Sequence, residues 1–177
     1  YSSARHSEAF SNLLYGIKER KGIIVITGEI GTGKTTLCRT FLNRVDEKIK
    51  TALILNPNFS EVQLLKLILT DFGIQTSLRN KFALIDKLNT FLLEESNKGN
   101  NVVLIIDEAQ NLNIKQLEQI RLLSNLETEK EKLLQIVLVG QPELYDKLKL
   151  PALRQLNQRV SVRYHLTPLN RNEVYYY

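Results

Sequence analysis

Gly28, Glu29, Ile30, Gly31, Thr32, Gly33, Lys34 and Thr35 follow the pattern Gly-x4-Gly-Lys-Ser/Thr without a departure. At average residue usage a chance match is on the order of 1% in a chain of this length. The residue types suit phosphate. Glycines at 28, 31 and 33 let backbone N–H groups turn inward and approach an anion with no Cβ in the way. A helix opening at Thr35 aims its positive dipole end at the same place. Lys34 supplies a cation for β- and γ-phosphates, and the Thr35 hydroxyl suits Mg²⁺. Thr36 belongs to the same binding stretch. These features imply ATP or ADP as the ligand, with Mg²⁺.

A second constellation is a pair of carboxylates, Asp107 and Glu108, at the end of the apolar run 102–106. In a parallel sheet, strand C-terminal ends converge on the ligand crevice. Asp107 is therefore expected beside the phosphate loop, holding Mg²⁺ through water. Glu108 is placed to polarise an attacking water as general base. Asn56 ends the second strand and has two readings: a short amide restraining Glu108, or a turn-former before Pro57. Gln141, after the fourth strand, either orients the water near the γ-phosphate or caps the helix that starts near Pro142. Arg154 and Arg159 both precede the fifth strand. Either can act as a finger on a neighbouring subunit's nucleotide or pair with surface carboxylates, and Arg159 is the favoured finger.

These residues need a scaffold that brings strand ends together. Short runs rich in Val, Ile and Leu at 23–27, 51–55, 102–106, 136–139 and 161–165 read as strands, with the little alternation expected when both faces are covered. Helical patterns occupy 7–20, 35–45, 61–72, 82–95 and 114–126, and Ser60 can cap the third of them. Alternating strands and helices predict an α/β fold with a parallel sheet.

Composition agrees with one folded domain. Of 177 residues, 43% are hydrophobic and 24% charged, which excludes a disordered or collagen-like chain. The lone Cys38 excludes an intrachain disulfide and reads as a small buried filler. With only His6 and His165 beside it, no metal-ligand cluster forms, and no nucleophile–histidine pairing stands out. No apolar run reaches the ~20 residues of a membrane span. Net charge is only +5. The densest basic cluster, Lys18, Arg20 and Lys21, reads as a solvated helix end or as a contact for phosphate or acidic lipid.

Beyond the phosphate loop, four segments carry a family likeness. They are Asp107-Glu108-Ala109-Gln110-Asn111-Leu112, residues 122–128, Gly140-Gln141-Pro142-Glu143-Leu144, and residues 153–159. Together with the opening 1–16, they resemble the AAA+ ATPase domain of the general secretion pathway protein A (ExeA/GspA) type over essentially the whole chain. The resemblance implies a P-loop core with five parallel strands in the order 5-1-4-3-2. By motif matching it gives Lys34 and Thr35 the phosphate-loop roles, Asp107 and Glu108 the acidic-strand roles, Gln141 a sensor role and Arg159 the finger role. It further implies Mg²⁺-dependent ATP hydrolysis, a homo-oligomer that is a ring or otherwise self-associated, and a protein partner in secretion assembly. The expected place is the cytoplasmic side of a bacterial inner membrane, and the expected work is a secretin- and peptidoglycan-linked step. Residues 1–177 are expected to be a fragment: the AAA+ core, with an N-terminal helix in 1–21 and the start of an otherwise absent helical lid at 171–177. Two other functions stay open at this point. One is a DNA-handling AAA+ ATPase of the transposition-helper type, and the other is a nucleotide-switched interaction module with negligible turnover.

Overall fold

The structure is a computed structural model that describes residues 4–168. Five parallel strands form one sheet: β1 (Ile23–Gly28), β2 (Ile49–Ile54), β3 (Asn101–Ile106), β4 (Gln135–Gly140) and β5 (Val160–Leu166). Their spatial order is β2-β3-β4-β1-β5, the expected 5-1-4-3-2 seen from the opposite edge. The chain supplies helices α1 (Ala4–Lys18), α2 (Lys34–Arg44), α3 (Glu61–Asp71), α4 (Lys81–Asn97), α5 (Ile114–Ser124), α6 (Glu143–Leu148) and α7 (Arg154–Gln158).

Strand periodicity divides the core in two. On one face, Ile23, Val25, Leu104, Ile106, Ile136 and Leu138 pack with apolar residues of α3–α7. The residues between them, Ile24, Ile26, Val103, Ile105, Val137 and Val139, pack on the other face with α1 and α2. Successive side chains point to opposite faces, so a strand covered on both sides must be apolar throughout. That holds for β1, β3 and β4. It fails at the edges, where β2 and β5 alternate between buried or half-buried and more exposed positions. An edge strand has fewer neighbours, and its polar positions at Lys50, Arg163 and His165 need no partner layer.

Local chemistry fixes the helix starts. Ser60 accepts from the Gln63 N–H at 3.3 Å, and the Gln63 side chain accepts from the Ser60 N–H at 3.1 Å. This capping box satisfies two otherwise unpaired donors. Asn113 and Gln116 repeat it at α5 with 2.8 and 2.9 Å bonds. α2 starts differently. Gly33 stands at its N-cap with φ of 87° and no side-chain cap, so its first N–H groups face the loop before it. Leu37 and Phe41 are buried beneath that turn and hold it against the sheet. Truncating a residue like Phe41 costs about 3–5 kcal/mol and would also loosen the seat of Lys34. The helix expected at 171–177 lies outside the described residues.

Candidate functional site

The site lies at the C-terminal ends of β1, β3 and β4, in the crevice made where neighbouring strands are not consecutive in the chain. Its cleft is lined by Ile30, Gly31, Gly33, Lys34, Thr35, Thr36, Glu108 and Gln141. Gly28, Glu29 and Thr32 shape the loop from behind. The Thr32 hydroxyl donates to the Glu29 carbonyl at 2.8 Å. A Cβ on Gly28 would stand 2.5 Å from that hydroxyl oxygen and 3.0 Å from the Leu166 carbonyl, so only glycine fits without a shift. Gly31 and Gly33 have φ of 82° and 87°, a left-handed backbone that favours glycine. Ile30 stands 81% exposed at the loop's apex.

Lys34 is 6% exposed. Its Nζ donates to the carbonyls of Gly28 at 2.7 Å and Glu29 at 2.9 Å. The ammonium is thus held inside the loop by two neutral acceptors, whose charge does not compete with an incoming anion. The Thr35 hydroxyl donates to Asp107 Oδ2 at 2.7 Å, and the Glu108 N–H donates to Asp107 Oδ1 at 2.8 Å. Asp107 is buried, and its carboxylate is oriented at both oxygens. A hydroxyl and a carboxylate that already touch form a compact pair of hard oxygens, the donor chemistry that Mg²⁺ takes alongside water. The residues therefore fit a Mg²⁺–nucleotide, with cationic Lys34 and the uncapped α2 N-terminus for its phosphates.

Glu108 adopts φ of 53°, rare for a residue with a Cβ. That conformation turns its side chain back over the cleft, beside Gln141. Its carboxylate accepts from Gln110 Nε2. Among the described residues no hydrogen bond joins Asn56 to Glu108. Asn56 itself has φ of 49°, and its Oδ1 lies 3.5 Å from Asn111 Nδ2, its donor. The left-handed backbone at the end of β2 places the amide beside Asn111. Gln141 lies at the cleft rather than at a helix cap, since Pro142 occupies the N-cap of α6.

Arg154 and Arg159 are exposed and do not line this cleft. Val160 pairs with Ile23, so Arg159 stands near the start of β1. The loop begins five residues further along that strand, about 17 Å away at ~3.3 Å per residue. Arg159 cannot serve its own chain's cleft, and among the described residues no ion pair engages it beside the edge strand. In the basic cluster at 18–21, the Arg20 Nε pairs with Glu131 at 3.5 Å, and its NH1 donates to the Lys132 carbonyl at 3.4 Å. That arginine is taken up within the chain. Burial, and after it the Asp107 carboxylate, push the Cys38 thiol up to about 12, as expected of a packing residue.

Residue-type reasoning missed two participants. Gln110 stands inside the motif-like stretch 107–112, and Lys147 stands in no motif at all. The Lys147 Nζ donates to the carbonyls of Gln110 and Leu112, each at 2.7 Å. Neither role shows in a local pattern, because both depend on α6 folding over the turn after β3.

Strand order, phosphate loop and paired carboxylates together define a phosphate-loop nucleotide-binding domain. Residues 17–148 match the AAA domain family, and the chain belongs to it. It is 45% identical over 175 residues to general secretion pathway protein A of Aeromonas hydrophila, covering 98% of this chain and 32% of that protein. The motif-level likeness to that type of AAA domain is thereby shown across the chain, which spans about a third of the relative's length. Two solved structures share the fold. One is the ORC2 protein of Aeropyrum pernix in ADPNP–ADP complexes, with TM-score 0.70 and 21% identity over 96% of this chain and 48% of that one. The other is Cdc6p from Pyrobaculum aerophilum, with TM-score 0.72 and 15% identity over 99% of this chain and 49% of that one. At such identities the likeness concerns the fold alone. Among the described residues no helix is long and apolar enough to cross a membrane.

Proposed function

We propose that the chain is the ATP-binding and ATP-hydrolysing core of a type II secretion assembly factor. In this reading it acts on the cytoplasmic face of a bacterial inner membrane, as part of a homo-oligomer, and drives a secretin- and peptidoglycan-linked assembly step through a protein partner. The observation that carries the hydrolytic part is the meeting of Lys34, Thr35, Asp107 and Glu108 around one cleft. The secretion part rests on the 45% identity to general secretion pathway protein A.

Each residue then has a task. Lys34 and the first N–H groups of α2 hold the β- and γ-phosphates. Thr35 and Asp107 hold Mg²⁺, which when bound supplies charge neutralisation at the phosphate oxygens. Glu108 orients a water against the γ-phosphate and accepts its proton. Gln141 stands where it can detect the γ-phosphate. Arg159, exposed beside the edge strand, reaches a neighbouring copy's nucleotide.

Calorimetry tests the reading at its base. ADP and ATP should bind the purified protein, and chelating Mg²⁺ should weaken ATP binding. Failure of both nucleotides to bind at millimolar concentration would overturn the assignment.

A further inference from the structure

The Glu108 carboxylate is engaged by an amide from its own turn. Gln110 lies on the 3-10 turn Ala109–Asn111 that follows β3. Its Nε2 donates to Glu108 Oε2, while its Oε1 accepts from the Gln141 backbone N–H at 3.1 Å. One side chain thus ties the carboxylate at the end of β3 to the backbone just beyond β4. Of the common side chains at this length, a primary amide can donate on one side and accept on the other. Glutamate has the shape but lacks the donor when ionised.

The surroundings are built around this amide. A Cβ on Gly140 would stand 2.6 Å from Gln110 Oε1 and 3.3 Å from its backbone nitrogen, so glycine at 140 leaves the space it fills. Lys147, on the helix that follows Gln141, anchors the turn by its bonds to the Gln110 and Leu112 carbonyls. Glu108 carries a left-handed backbone, φ 53°, which its neighbours must hold in place.

We propose that Gln110 is a positioning residue that couples the Glu108 carboxylate to the Gln141 backbone. It fixes the rotamer of Glu108 toward the phosphate loop and makes that rotamer depend on where the end of β4 stands. A shift of the Gln141 backbone, whether from a ligand at the cleft or from a neighbouring subunit, re-aims Glu108 through this one amide. The catalytic meaning of the link rests on the reading of Glu108 as general base. The link itself does not.

Two measurements separate these levels. The first uses nucleotide-free protein and follows amide hydrogen exchange at Gln141. Gln110→Ala should raise its exchange rate about tenfold or more. Glu108→Ala should also raise it, and should add nothing when Gln110→Ala is already present. An unchanged rate in Gln110→Ala, or independent effects of the two substitutions, would overturn the coupling. The second follows hydrolysis. Gln110→Ala should lower kcat about tenfold with KM for ATP and affinity for ADP unchanged. Gln110→Glu keeps the shape and the acceptor for Gln141 but loses the donor for Glu108. It should therefore lower kcat as well, while ADP affinity and Tm stay near wild type, which guards against a folding defect in the alanine variant. Wild-type kcat in both variants would overturn the positioning role. If wild-type protein binds ATP but hydrolyses none at any concentration, the general-base reading of Glu108 falls with the positioning role, and the exchange cycle alone decides the link.

Discussion

Replacing Lys34 by alanine should separate what the lysine does for the fold from what it does for the ligand. In the nucleotide-free protein its Nζ makes two bonds, at 2.7 and 2.9 Å, to loop carbonyls. Hydrogen bonds to a charged group contribute about 1.5–3 kcal/mol each. The carbonyls border an open cleft that water can enter, and the buried ammonium loses a desolvation cost when removed. The net destabilisation is therefore expected at about 2 kcal/mol, below the sum of the two bonds. For a domain of this size that lowers Tm by about 4–8 °C. The ligand term is larger in effect. Losing one charge-assisted contact of about 1.5–3 kcal/mol weakens nucleotide binding about 10- to 150-fold. Thermal unfolding without nucleotide gives the first figure, and calorimetry with ADP well below Tm gives the second. ADP affinity within twofold of wild type, in a folded variant, would refute the placement of phosphates at Lys34.

Hydrolysis per subunit should rise with protein concentration and lose that rise in Arg159→Ala; mixing Arg159→Ala with Lys34→Ala protein should restore part of it, because one supplies the arginine and the other the intact cleft. Activity that is flat on dilution and indifferent to Arg159→Ala would reject a shared site. Gln119 is 1% exposed, and neither polar atom of its amide has a hydrogen-bond partner among the described residues. Gln119→Leu should therefore stabilise the protein by about 1–3 kcal/mol, read as a higher midpoint in urea, and a lower midpoint would contradict this. Cys38, with its thiol pushed up to about 12, should resist iodoacetamide at pH 8 until the protein is unfolded. The sign is fixed by linkage: the raised folded value makes the thiol's contribution to stability full below its unfolded pKa and lost as pH climbs toward 12.

The phosphate loop was legible because its chemistry is local. Glycines, lysine and threonine must stand at fixed spacing for one backbone turn to cradle an anion. The central strands were legible for a similar reason, since Ile23–Gly28 and Asn101–Ile106 are covered on both faces and written almost wholly in apolar residues. The edge strands were harder, and β2 starts at Ile49, two residues before the apolar run at 51–55 suggests. Its first residues are half-exposed and pair with β3 through backbone bonds that any side chain permits. The hydrogen-bond partner of Glu108 was not legible. Asn56 and Gln110 are both amides at plausible distances in the chain. Which one meets the carboxylate depends on a left-handed φ at Asn56 and on Lys147 drawing the turn toward α6. No residue type announces either.

If this cleft hydrolyses ATP with Glu108 as base, one conservative substitution should stop turnover and spare binding. Glu108→Gln keeps the side-chain size and leaves Lys34, Thr35 and Asp107 untouched. Phosphate release should be measured beside ATP affinity, at a protein concentration where wild type turns over. Affinity should be unchanged and kcat should fall about 10²-fold or more, within the range of general-base catalysis. Equal rates in the variant and the wild type, at equal affinity, would contradict it.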